Sequence, residues 1–82
     1  MPKLKRLSGK QVLAFCKLQG FELVRQKGSH CNILRVIGGR KQVVTIPNHR
    51  EIDRGTLTGI YKQLARYVSD NELRVFFYTS DK

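Results

Sequence analysis

The chain has 82 residues and carries 16 Lys and Arg against six Asp and Glu, which gives a formal net charge of +10. This length allows one modest hydrophobic core, so we expect a single domain over residues 1–82. The basic residues run through the whole chain and do not gather in one tail. Such a distribution is typical of a protein that binds a polyanion, for example a nucleic acid.

The sequence favours no membrane association. It contains no apolar run long enough to span a bilayer and no amphipathic helix with a wide apolar face and a lysine-rich back. Residues 1–6 lack the apolar centre of a signal peptide, which predicts a cytoplasmic protein. Cys16 and Cys31 have no spacing typical of disulfide scaffolds or zinc sites, so both are expected to be reduced and buried.

The first predicted element is a helix. Ser8 and Gln11 form a capping box, an apolar stripe follows, and Gly20 suits the position just past a helix end. Three strands then follow, separated by the two-residue turns Gly28-Ser29 and Gly38-Gly39. The predicted strands span residues 21–27, 30–37 and 40–46.

Two further helices complete the predicted fold. Asp53 can cap a helix that carries Leu57, Ile60, Tyr61 and Leu64. Ser69 and Glu72 form a second capping box before a short helix with Leu73, Phe76 and Phe77. The expected order is α-β-β-β-α plus a short C-terminal helix. This is an α+β fold in which the helices pack on one face of a three-stranded antiparallel sheet.

Taking both turns as two-residue loops fixes a register, and the register assigns the faces of the sheet. The predicted core face carries Val24, Cys31, Ile33, Val44 and Ile46. On the open face Lys27 pairs with His30, Arg25 pairs with Asn32, and Thr45 lies beside Asn32. An apolar row further along the open face consists of Leu23, Leu34 and Val43.

His30 is the candidate catalytic residue. Metal-free cleavage of a phosphodiester removes a proton from the attacking hydroxyl and gives one to the leaving oxygen, and histidine titrates near neutrality. The residues expected to hold the phosphate around it are Arg25, Lys27, Gly28, Ser29, Asn32 and Thr45. From the residues alone, however, a histidine that opens a strand is more often an ordinary surface residue.

The second proton transfer has three candidate owners: His49, Tyr61 and water. The helix N-terminus at Gly55 and Thr56 also suits phosphate. Acidic residues are few, and only Glu51 and Asp53 sit close together. The sequence therefore predicts no metal site and no cofactor.

Four motifs, in order, resemble those of the HicA toxin family of toxin–antitoxin systems. The resemblance runs from about Leu4 to Ser69, and the chain departs from the family pattern in the aromatic segment Phe76-Phe77-Tyr78. The matching motifs are Leu7-Ser8-Gly9-Lys10, the run from Gly20 to His30 that ends in Gly-Ser-His, Val44-Thr45-Ile46-Pro47 with His49, and Gly55-Thr56-Leu57 with Ile60.

The resemblance implies a double-stranded-RNA-binding-domain-like fold and an mRNA-cleaving endoribonuclease that inhibits translation. The histidine of the family's Gly-Ser-His element is the catalytic one, which corresponds to His30. A HicB-like antitoxin is the implied protein partner, and mRNA is the implied substrate. These implications reverse the preference for an ordinary surface histidine.

Two other functions are compatible with the sequence. A module that binds double-stranded RNA by shape without cutting it would share the charge and the fold but would not need His30. A small DNA-binding regulator fits the charge, but no predicted helix carries the row of arginine and asparagine residues expected of a major-groove reader.

Overall fold

The computed structural model describes residues 3–79, which form three helices and one three-stranded sheet. The predicted α+β class and element order are confirmed. The elements are α1 (Gly9–Leu18), β1 (Glu22–Lys27), β2 (His30–Ile37), β3 (Arg40–Pro47), α2 (Arg54–Leu64) and α3 (Asp70–Phe77).

The helices begin where their capping residues predict. Ser8 and Gln11 satisfy each other reciprocally: the Gln11 N–H donates to Ser8 Oγ at 3.1 Å, and the Ser8 N–H donates to Gln11 Oε1 at 2.9 Å. Asp53 and Ser69 cap α2 and α3 by accepting backbone N–H bonds three residues on. Each cap occupies an N–H group that the helix itself leaves without a partner.

Both strand connections are the two-residue turns that were predicted. Gly28 has φ +59°, while no residue other than glycine in the described chain has a positive φ, so Ser29 follows with an ordinary backbone. This suits a turn with glycine at its first central position. Gly38 and Gly39 both have positive φ, as a turn with two left-handed residues requires.

The sheet is antiparallel, with β2 in the centre, and most of the predicted register is confirmed. The pairs Lys27 with His30 and Arg25 with Asn32 are present. Between β2 and β3 the predicted pairs are also present: Asn32 with Thr45, Ile33 with Val44, and Leu34 with Val43.

The prediction for the start of β1 is wrong, because the register shifts between Leu23 and Arg25. An extra residue in one strand leaves that residue unpaired and moves the preceding ones to the opposite face. Val24 is therefore 57% exposed instead of buried. Leu23 pairs with Ile33, and Glu22 takes the place that Leu23 was expected to hold beside Leu34.

The helices cover one face of the sheet and leave the other open. Leu34 and Val43 lie on the open face, with Val36 two residues further along β2; we call these three residues the apolar strip. Val36 and Val43 are more than half exposed. The sheet side of the core consists of Cys31, Ile33, Val44 and Ile46, and the helices add Val12, Phe15, Cys16, Leu57, Ile60, Leu64, Leu73 and Phe77.

The aromatic C-terminal segment belongs to the core. Phe76 stacks on Phe15 of α1 with ring centroids 4.3 Å apart, and Phe77 meets the Tyr61 ring edge-on at 5.3 Å. A bridge between Leu4 and Tyr78 pairs the two ends of the described chain. In residues 3–79, no helix has the length and apolar character that crossing a membrane requires.

Candidate functional site

His30 begins β2 on the open face of the sheet and is exposed. It pairs with Lys27 on one neighbouring strand and with Pro47 on the other. Within residues 3–79, the imidazole makes no side-chain hydrogen bond. Both ring nitrogens are therefore accessible to a ligand that approaches this end of the sheet.

The Gly28-Ser29 turn lies directly beside this histidine. No heavy atom lies within 4 Å of the position that a Cβ on Gly28 would occupy, so the tip of the turn is open. The Ser29 carbonyl accepts a hydrogen bond from the Asn48 N–H at 2.6 Å. The turn is thus tied to the segment after β3 while its outer surface remains accessible.

Two cations lie on the strand next to His30. Arg25 and Lys27 alternate along β1, are both exposed, and pair with Asn32 and His30 respectively. Among the described residues, neither forms an ion pair with a carboxylate. Their charges remain available for an anion, which two lysine or arginine side chains hold by charge-assisted hydrogen bonds.

Asn32 and Thr45 lie next to this pair of cations and are linked to each other. The Thr45 hydroxyl donates to Asn32 Oδ1 at 2.8 Å. The amide oxygen is therefore occupied, and the Asn32 NH2 group is left as a hydrogen-bond donor. This group can bind a phosphate oxygen or the edge of a base.

The second histidine reaches the same end of the sheet. His49 follows β3 and is exposed, and its Nε2 atom lies 3.3 Å from Ser29 Oγ. Ser29 immediately precedes His30 in the chain. It therefore has one histidine as its sequence neighbour and the other in contact with its hydroxyl group. Of the sequence candidates for the second proton transfer, His49 is the side chain that the structure brings to the His30 turn.

Tyr61, another candidate, lies elsewhere. Its hydroxyl donates to Asp70 Oδ1 at 2.8 Å, and its ring contacts those of Phe77 and Tyr78. Burial raises the pKa of Tyr61, and the hydrogen bond to Asp70 acts in the same direction. This tyrosine belongs to the packing of α2 against α3.

Gly55 and Thr56 form the exposed first turn of α2, and no hydrogen bond within residues 3–79 links them to the His30 turn. The Thr56 N–H donates to the Asp53 carboxylate at 3.1 Å. Hydrogen bonding by the Thr56 side chain, and then by this N–H group, lowers the pKa of Asp53. A carboxylate therefore already occupies the place where a phosphate would bind this helix end.

The packing of Gly9 against the segment after β3 is a contact that the sequence reasoning missed. A Cβ at this position would lie 2.5 Å from the Asn48 Cα and would also collide with the Pro47 carbonyl oxygen. The Gly9 N–H donates to the His49 carbonyl at 2.8 Å. The first residue of α1 thus sits directly against the segment that carries His49, and only glycine permits that approach.

Thiols and carboxylates form no further site in the described part of the chain. Cys16 and Cys31 are free and buried, as expected. In residues 3–79, no group of three or more His, Cys, Asp or Glu side chains is placed to hold a metal ion.

The fold and the open face define a class of small, basic α+β proteins that present a histidine and several cations on one side of a three-stranded sheet. The family model for the HicA toxin of bacterial toxin–antitoxin systems matches residues 9–65. Because this match covers more than half of the chain, the protein belongs to the HicA toxin family. Membership implies a toxin whose partner is an antitoxin.

No curated protein and no solved structure matches this chain. The similarity of this fold to that of double-stranded-RNA-binding domains therefore stays a prediction. The matched segment contains α1, the sheet and α2, and it includes His30 and His49. Helix α3, with its aromatic residues, lies outside the match although its side chains complete the core.

Proposed function

We propose that this toxin is a metal-independent endoribonuclease that cuts mRNA in the cytoplasm and thereby inhibits translation. The observation that carries this proposal is the position of His30, an exposed imidazole that lies beside two exposed cations of β1 and an open glycine turn. Histidine is the side chain best suited to proton transfer near neutral pH.

The surrounding residues divide the work of binding RNA. Arg25 and Lys27 hold the phosphate and offset the charge that develops on it during the reaction. The backbone N–H groups of Gly28 and Ser29 donate to the same phosphate. Asn32, oriented by Thr45, donates its amide N–H to the substrate.

The chemistry uses the 2′-hydroxyl of RNA as its nucleophile. His30 takes the hydroxyl proton, the 2′-oxygen attacks phosphorus, and the bond from phosphorus to the 5′-oxygen breaks as a second proton donor protonates that oxygen. The products are a 2′,3′-cyclic phosphate and a 5′-hydroxyl end. DNA lacks the nucleophile, so it can bind to the cationic face but is not cut.

The test is incubation of the purified toxin with a long single-stranded RNA in the presence of a chelator, beside the His30→Ala variant and DNA of matching sequence. We expect the wild type to cut RNA alone and His30→Ala to leave it intact. Cleavage of the DNA, or loss of wild-type activity on chelation, would contradict the mechanism. RNA binding without any cleavage would instead favour a double-stranded-RNA-binding module.

We further propose that a HicB-like antitoxin binds the open face and covers His30. The apolar strip offers an apolar centre, and the surrounding cations offer charge that an acidic partner complements. Occlusion of His30 would then be steric, so His30→Ala should still form the complex.

Leu34→Asp tests this docking face, because it places a charge in the middle of the apolar strip. Its matched control is Val75→Asp, which makes the same kind of change at an exposed site on α3. We expect Leu34→Asp to weaken the complex by at least about tenfold, or about 1.4 kcal/mol, and Val75→Asp to leave it unchanged. Equal effects in the two variants would place the antitoxin elsewhere.

A further inference from the structure

We propose that His49 is the second proton-transfer residue of this site and gives a proton to the leaving 5′-oxygen while His30 takes the proton of the 2′-hydroxyl. This inference rests on the proposed ribonuclease function. It assigns the transfer for which the sequence left three candidate owners.

The first observation is that Ser29 connects the two histidines. It is the chain neighbour of His30, and its hydroxyl lies 3.3 Å from His49 Nε2. Its carbonyl also accepts the Asn48 N–H at 2.6 Å, so the pairing of the two segments continues past the end of β3. The His49 ring therefore contacts the residue that precedes His30, and both histidines are exposed.

The second observation is that the backbone around His49 is fixed from the opposite side. The His49 carbonyl accepts the Gly9 N–H at 2.8 Å, and the Ile52 N–H donates to the Leu7 carbonyl at 2.9 Å. The close approach of Gly9 to Asn48 leaves no room for a side chain. The segment that presents His49 is thus pinned between the start of α1 and the Ser29 turn.

The contacts of the two rings fit this division of the two transfers. His30 makes no side-chain hydrogen bond within the described residues, so a ring nitrogen is free to accept the 2′ proton. The Ser29 hydroxyl can accept an N–H from His49 Nε2, which is compatible with a doubly protonated ring. The Nδ1–H of such a ring remains available to the 5′-oxygen.

The two transfers balance. One proton moves from the 2′-hydroxyl to His30, a bond forms between the 2′-oxygen and phosphorus, and the bond to the 5′-oxygen breaks as that oxygen receives a proton from His49. His30 ends protonated and His49 neutral. Exchange of one proton with water at each ring restores the starting state, and no other reactant is needed.

A substrate with sulfur in place of the leaving 5′-oxygen separates the two roles, because a thiolate leaves without being protonated. On ordinary RNA we expect His49→Ala to be slower than the wild type by about 10²-fold or more. On the 5′-thio substrate we expect His49→Ala to cut within about tenfold of the wild type, while His30→Ala remains inactive because the 2′ proton must still be removed.

Gly9→Ala and Ser29→Ala test how His49 is positioned. Gly9 is a positioning residue that acts through the backbone of Asn48 and His49, so Gly9→Ala should slow RNA cleavage and regain most of its rate on the 5′-thio substrate. A substitution that damaged the fold alone would be equally slow on both substrates. Ser29→Ala removes the hydroxyl contact without crowding α1, so it gives the same readout if Gly9→Ala does not fold.

The results separate the two proposals. A wild-type toxin that cuts no RNA overturns the proposed function itself. A wild type that is active, beside a His49→Ala variant that cuts ordinary RNA at the wild-type rate, overturns only the role of His49. A slow His49→Ala variant that the 5′-thio substrate does not restore overturns it equally, because the defect then lies outside leaving-group protonation.

Discussion

The two ends of β2 carry basic or titratable side chains that differ in exposure and in hydrogen bonding. His30, at the first residue of this strand, is exposed on the open face and makes no side-chain hydrogen bond within the described chain. Arg35, near the other end, faces the helices, and each of its three guanidinium nitrogens donates a hydrogen bond. It donates to Gln42 Oε1 at 2.7 Å, to the Gln19 carbonyl at 2.7 Å and to the Tyr67 carbonyl at 2.6 Å.

Arg35 therefore joins elements that the sheet alone does not connect. Its guanidinium carbon also lies 4.7 Å from the centre of the Phe21 ring, where the cation meets the face of the aromatic system. Both carbonyls that it binds belong to residues just after α1 and α2. A basic side chain whose donors are satisfied inside the fold stabilises the fold, whereas one whose polar atoms are left free is available to a substrate.

The largest expected effect comes from removing the free group. His30→Ala should reduce RNA cleavage by about 10²- to 10⁴-fold, since it deletes a proton-transfer residue. The free energy of unfolding should change by less than about 0.5 kcal/mol, because the side chain is exposed and makes no hydrogen bond within the described residues. A cleavage assay and a denaturant titration on the same preparation measure both; a large loss of stability would make His30 a structural residue.

Arg35→Met should give the converse result. It removes three hydrogen bonds and leaves the Gln19 and Tyr67 carbonyls without that donor, so we expect the free energy of unfolding to fall by about 2–4 kcal/mol. Arg40→Met, at an exposed arginine of β3, is the matched control and should change it by less than about 0.5 kcal/mol. At a temperature where Arg35→Met is folded, its cleavage rate should equal that of the wild type.

The sequence predicts the two-residue turns, the caps and the register near them, because these depend on local chemistry. Glycine at the required turn positions fixes which residues pair, and this correctly places Lys27, His30, Asn32 and Thr45 on one face. The same reasoning fails at Val24. Leu23 and Val24 are both apolar, so no alternation shows that an extra residue lies between the paired positions.

The contact between Gly9 and the His49 segment could not be predicted from this sequence. It joins residues 40 positions apart, and a small residue at the first position of a helix carries no pattern that names its neighbour. The motif that contains Gly9 also forms a capping box, which explains its serine and glutamine but not its glycine. The role of Arg35 is equally hidden, since two of its partners are backbone carbonyls.

The Cys16 thiol, which lies near Arg35, should make the stability of the protein depend on pH in the alkaline range. Burial raises the pKa of the Cys16 thiol from 9.0 to about 12, and the nearby Arg35 charge opposes this only in part. An unfolded thiol ionises first, so the stability that this residue contributes is complete below pH 9 and is lost as the pH rises toward 12. At pH 10 the loss is about 1.4 kcal/mol.

Comparison with Cys16→Ala isolates this effect from the titration of lysines and tyrosines, which both proteins share. The difference in the free energy of unfolding between the two proteins should shift by about 1.4 kcal/mol between pH 8 and pH 10, to the disadvantage of the wild type. A difference that stays constant over this range would mean that the folded thiol titrates like an unfolded one.

The smallest expected effect compares one lysine at each end of the sheet. Lys27 pairs with His30, while Lys41 pairs with Val36 near the Arg35 end, and both are exposed. If RNA phosphates bind at the His30 end, Lys27→Gln should reduce the slope of log affinity against log salt by about 0.7, the value for one phosphate contact on a single strand. Lys41→Gln changes the net charge equally and should leave the slope unchanged.

Binding of the cleavage-deficient His30→Ala protein to single-stranded RNA at several salt concentrations measures both slopes. Equal reductions would mean that the whole open face attracts RNA without a preferred end, and the difference between the two ends of β2 would then concern catalysis alone.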